Sequence, residues 1–131
     1  MSANEFGCEQ CCPLHAETAW EASRRFGLIR VLSDESHFGV SIFACPACGQ
    51  HFASVFTETI DWVDGEDPQY WSLLPLRAEE SGRLLATVEA CDLQLLETFG
   101  RNRRFLTRSY PKHSEPTISW RESGFHIGPH D

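Results

Sequence analysis

The chain has 131 residues, 41% of them hydrophobic and 23% charged, a balance that suits one globular domain with a real core and excludes a disordered chain. No apolar run approaches the roughly 18 residues of a spanning helix. The net charge is −8, and residues 1–100 carry five basic and 16 acidic side chains while residues 101–131 carry six and three. An acidic body repels phosphates, so broad nucleic-acid binding is disfavoured and a basic protein partner is favoured.

Residues 1–7 read as a loose start without the basic and apolar regions of a signal peptide. The expected compartment is the reducing cytoplasm, where thiols bind metals more readily than they pair. Cys8 to Pro13 forms a first turn. His15 to Phe26 reads as a helix, with Ala16, Ala19, Trp20 and Ser23 inward and Glu17, Glu21, Arg24 and Arg25 towards water. Gly27 ends it. Leu28 to Leu32 and Phe38 to Ala44 read as strands around a turn at Ser33–Ser36, and His51 to Trp62 as a third strand. In that strand Phe52, Ser54, Phe56 and Glu58 share one face, and Ala53, Val55 and Thr57 the other.

Asp61 to Gln69 is an acidic loop, and Tyr70 to Pro75 an irregular aromatic segment. Arg77 to Phe99 is helical, with Leu84, Val88, Cys91, Leu95 and Phe99 as its apolar stripe and a break allowed at Gly82. Arg101, Arg103, Arg104 and Arg108 form the basic cluster. Thr117–Trp120 and Phe125–Gly128 read as a terminal hairpin. The predicted fold is a single α+β domain over 1–131: a small antiparallel sheet covered by helices, with a C-terminal β-hairpin.

The strongest chemical signal is a pair of Cys-x-x-Cys turns, Cys8/Cys11 and Cys45/Cys48, separated by 33 residues. That spacing lets a tight turn aim two thiolates at one ion, and Gly49 supplies the backbone freedom such a turn needs. Four thiolates make a closed tetrahedral site of the structural type, with no position left for substrate. Cys12, His15 and His51 lie near enough to replace a ligand. Cys91 reads as a small buried hydrophobe.

Cys45-Pro46-Ala47-Cys48-Gly49, on a strand–turn–strand and matched by the upstream pair, resembles a zinc ribbon over residues 8–62. It is also similar to a rubredoxin knuckle. The resemblance implies a structural Zn²⁺, with iron the alternative. Residues 63–131 form the helical segment plus the terminal hairpin. The lack of glycine after Cys11 and the helix between the pairs argue for a ribbon-like element set within a larger domain. The chain as a whole resembles small bacterial cytoplasmic proteins, some of which act as immunity or accessory factors.

A thioredoxin-like dithiol would open a helix, whereas a strand pattern follows Cys48, which disfavours redox catalysis. Asp61, Asp64, Glu66 and Asp67 lack the ligand spacing of an EF-hand. With Trp62, Tyr70 and Trp71 they form a candidate protein-binding patch, in which aromatics supply area and carboxylates steer. His126, His130 and Asp131 form a further candidate surface metal site. The expectation is a non-enzymatic, zinc-stabilised interaction, immunity or regulatory factor. A nucleic-acid-associated zinc ribbon using the arginines is the second reading, and a metal-dependent or redox enzyme the third.

Overall fold

In the computed structural model, which describes residues 6–86, 92–111 and 115–128, six strands form one open antiparallel sheet. They are β1 (Gly27–Glu35), β2 (Phe38–Ala44), β3 (His51–Glu58), β4 (Gln69–Leu76), β5 (Phe105–Tyr110) and β6 (Thr117–Arg121). Their spatial order is their sequence order, so every neighbour is reached by a simple reversal. Helix α1 (Ala16–Ser23) precedes the sheet, and α2 (Ala78–Leu85) and α3 (Leu93–Phe99) lie between β4 and β5.

Strand alternation sorts the side chains into two cores, one on each face. Phe38, Val40, Ile42, Ala53, Val55, Leu74, Leu76 and Phe105 pack under Leu84 of α2, Leu96 and Phe99 of α3, and Phe125. The opposite face carries Phe52, Leu73 and Leu106 against Ala16 and Ala19 of α1 and against Cys11, Cys12 and Cys45. Helix α1 thus buries the small side that its sequence pattern selects. The N-terminal cysteines belong to the same layer.

Several elements differ from the sequence reading. Tyr70 to Pro75 is not irregular but part of β4, which sits inside the sheet. Pro75 is tolerated because β5 pairs with β4 only as far as Leu73. The carbonyl of Pro75 accepts from Arg103 Nη1 at 2.9 Å instead, and the missing N–H on that side breaks no ladder bond. The second half of the basic stretch after Gly100 runs into β5, whose Phe105 and Leu106 plug opposite cores, while Gly100–Asn102 forms a short 3-10 turn.

The terminal hairpin consequently has other arms. β6 pairs back with β5, and residues 125–128 run outside the sheet. Phe125 prefers the core, where its ring meets Phe105 edge-on at 5.3 Å. Helix α2 passes straight through Gly82. Val88 and Cys91 of the expected stripe, and His130 and Asp131, lie outside the described residues.

A buried ion pair ties the helical layer to the start of β5. Arg103 Nη1 and Nη2 donate to Glu80 Oε1 and Oε2 at 2.6 and 2.8 Å, while the Arg77 amide donates to Glu80 Oε1 at 2.7 Å. Burial raises the Glu80 pKa, but these donors outweigh it and hold the carboxyl below its usual value of 4.5. Glu80 therefore stabilises the fold above that ordinary value, and the contribution is lost as pH falls through its lowered folded value. Arg103→Met, which strands the buried carboxylate, is expected to cost about 3–5 kcal/mol in urea titrations at pH 7. Its deficit relative to the parent should shrink as Glu80 becomes protonated in acid.

Candidate metal centre

Two similar turns build the site. In the first, the Cys12 amide donates to the Cys8 carbonyl at 2.8 Å; in the second, the Gly49 amide donates to the Cys45 carbonyl at 2.8 Å. Cys12 stands where Gly49 stands in the other turn, so the absent glycine does not prevent the same bond. Gly49 has φ +80°, the left-handed conformation its type allows cheaply. The second turn joins β2 to β3, closed by the Cys45 amide bonding to the Gln50 carbonyl at 2.9 Å.

The Sγ atoms of Cys8, Cys11, Cys45 and Cys48 all lie within 4.8 Å of one another. Cys8 to Cys11 is 3.9 Å and Cys11 to Cys48 is 3.8 Å. Sulfurs about 2.3 Å from a shared tetrahedral ion sit about 3.8 Å apart, so the cluster fits a four-thiolate metal site. Cys11 and Cys45 are buried, Cys8 is half-buried and Cys48 is exposed. Cys12 lies 3.9 Å from Cys11 Sγ yet outside the four-sulfur group, buried among the α1-face core residues. His15 is exposed ahead of α1, and His51 Nδ1 is 2.6 Å from Ser81 Oγ of α2. Neither histidine belongs to the group.

Residues that carry no metal chemistry hold the two turns together. The Gly7 amide donates to Gln50 Oε1 at 2.9 Å, and Gln50 Nε2 donates to the Leu76 and His51 carbonyls at 2.6 and 2.8 Å. Gln50 thereby clips the N-terminal segment to β3 and β4. The Phe6 ring lies 5.0 Å from the Arg77 guanidinium and 4.8 Å from that of Arg103. Gly7 has φ +73°, and a Cβ there would run into the sulfurs of Cys11 and Cys12. The sequence reading passed over all three. A glycine directly before the first cysteine was the available signal.

Burial pushes the Cys45 thiol up and the Cys48 thiol up to about 12. The Cys12 hydrogen bond, then burial, pushes Cys11 up, whereas the Cys11 backbone amide lowers Cys8 to about 7. At neutral pH, Cys11, Cys45 and Cys48 thus keep their protons until a cation compensates the charge.

The other candidates separate. Asp61 organises its own loop: Oδ1 accepts from the Val63 and Asp64 amides at 3.1 Å each, and Oδ2 from the Glu66 amide at 3.3 Å. Asp67 Oδ1 accepts from the Asp61 amide at 2.7 Å. The tip this creates leaves Trp62 85% and Val63 88% exposed. Tyr70 and Trp71 are consecutive in β4 and point to opposite faces. Trp71 packs against Phe56 at 4.9 Å and Trp20 at 6.3 Å. Tyr70 lines a cavity of about 380 Å³ with Thr107, Arg121 and His126, and Trp71 also borders it. Of the residues expected to form a patch, Trp62 stands at the exposed loop tip beside Val63, while Trp71 is half-buried against other rings.

Three of the four clustered arginines are engaged within the fold. Arg103 pairs with Glu80, Arg104 stacks 4.0 Å above Trp120, and Arg108 lies between Trp71 at 4.9 Å and Trp20 at 5.4 Å. Such stacking commits guanidinium faces to neighbouring rings.

Fold and site together define an α+β protein whose open antiparallel sheet carries a four-cysteine cluster at one end. The chain matches no protein family, and comparison with curated proteins and with solved structures brings out no similar chain. No helix among the described residues is long and apolar enough to cross a membrane.

Metal binding should release about three protons near neutrality, so apparent Zn²⁺ affinity should fall up to ~1000-fold per pH unit on acidification. Chelator competition across pH measures this slope. Gly7→Ala should weaken Zn²⁺ binding at least ~10-fold through backbone strain and the collision with Cys11.

Proposed function

We propose that the chain is a zinc-stapled, non-enzymatic factor that works by binding another protein, as a regulatory or immunity-type component of the cytoplasm. The cysteine cluster supports a structural Zn²⁺ held by Cys8, Cys11, Cys45 and Cys48, in a zinc-ribbon-like part of a single domain. Four sulfurs around one ion leave no open coordination position for chemistry. The free thiols suit a reducing compartment.

The observation that carries the interaction reading is the loop tip. Trp62 and Val63 project almost bare from a turn cinched by Asp61, with Asp64 and Glu66 beside them. A rigid aromatic anchor loses little entropy on binding, and flanking carboxylates favour a partner with a basic rim around an apolar pocket. The arginines offer less support for nucleic acid, because three of the four are stacked or paired within the fold.

Chelation should lower the melting temperature sharply, since a structural four-thiolate site contributes on the order of 10 kcal/mol to folding. Trp62→Ala with Val63→Ala should leave that melting temperature unchanged and abolish capture of the partner retained by the parent chain. Equal capture by both chains would remove the loop tip from the interface.

A further inference from the structure

The first strand of the sheet is an open edge. Among the described residues β1 pairs only with β2, so the outer row of its backbone donors and acceptors meets no strand. It is nine residues long, about 30 Å of edge. Leu28, Ile29 and Val31 are 56%, 46% and 48% exposed along it. Folds commonly shorten such an edge or line it with lysine or proline; here it is long, carries Leu28, Ile29, Val31 and Leu32 in its first two thirds, and has neither lysine nor proline.

We propose that β1 is a self-association edge: two copies of the chain pair β1 against β1 in antiparallel fashion, fusing their sheets across a two-fold axis. Charge selects the partner and the direction. Arg24, Arg25 and Arg30 sit before and within the first half of β1, and Asp34 and Glu35 end it. Antiparallel pairing lays the basic start of each strand beside the acidic end of the other, with Leu32 near the axis and Arg30 opposite Asp34 of the second copy. Parallel pairing would set like charge against like. Irregularities in the register with β2 leave Ile29 and Leu32 as extra residues. The edge joins no part of the cysteine cluster or of the Trp62 loop, so the inference stands apart from the function proposed above.

The test is sedimentation equilibrium of the full chain, loaded with Zn²⁺ and kept in reductant so that the exposed Cys48 cannot cross-link. The parent should show a reversible monomer–dimer equilibrium. Arg30→Asp and Asp34→Arg, each alone, should raise the dissociation constant at least ~10-fold, because each sets like charges opposite one another twice. Mixing the two variants should restore the dimer, since the carboxylate introduced in one copy then meets the guanidinium introduced in the other. Because Arg30 also donates to the Leu85 carbonyl, melting temperatures confirm that each variant stays folded. Val31→Lys, at an exposed position, should disperse the dimer without touching either charge pair. A monomer at millimolar protein overturns the proposal and leaves the edge to a foreign strand or to none. A dimer indifferent to all three substitutions overturns it as well.

Discussion

Everything at the N-terminal end of this molecule depends on four sulfurs being held at one point. Residues 6–14 form no helix or strand that would place them. Bringing Cys8 and Cys11 to Cys45 and Cys48 closes a loop of more than 30 residues, which costs roughly 3 kcal/mol in chain entropy. A four-thiolate metal centre contributes on the order of 10 kcal/mol, enough to offset that closure and the ordering of the segment. Gln50, Phe6 and the glycine at position 7 then decide how the segment lies once it has been drawn in.

The consequence reaches beyond the site. Cys11, Cys12 and Cys45 share a core with Phe52, Leu73, Leu106 and α1. The cysteine cluster is therefore the end of the α1-side layer, and parting its thiols would open the apolar core on that face. Cys12 lies outside the four-sulfur group and packs in this core. The opposite layer is secured differently, by the Arg103–Glu80 pair and by Phe125 folded back onto Phe105. One face is closed by thiols converging on a point and the other by an ion pair and an aromatic latch.

The aromatic and cationic residues divide between holding the fold and meeting a partner. Trp20, Trp71, Trp120, Arg104 and Arg108 spend their surface on one another. Trp62 alone among the tryptophans stands clear of the body, on a loop whose shape Asp61 sets through backbone amides. The acidic residues there are thus partly architecture, and the carboxylates at 64 and 66 flank a presented hydrophobic tip.

Short-range chemistry was legible in the chain itself. The Cys-x-x-Cys spacing, Gly49 in its left-handed turn, the small inward side of α1 and the alternation of β2 and β3 are all properties of a few neighbouring residues. What the fold alone decided depends on neighbours distant in sequence. Pro75 disguised β4 as a loop until the end of β5 pairing left its missing amide harmless. The basic run after Gly100 concealed β5 because its arginines found rings and a carboxylate to occupy. Phe125 abandoned a local hairpin for a core built by residues 20 positions away. Tyr70 and Trp71, adjacent in the chain, were parted by the pleat of a strand. A local pattern can state a residue's preference, but burial against remote partners, worth more than propensity, settles which preference is met.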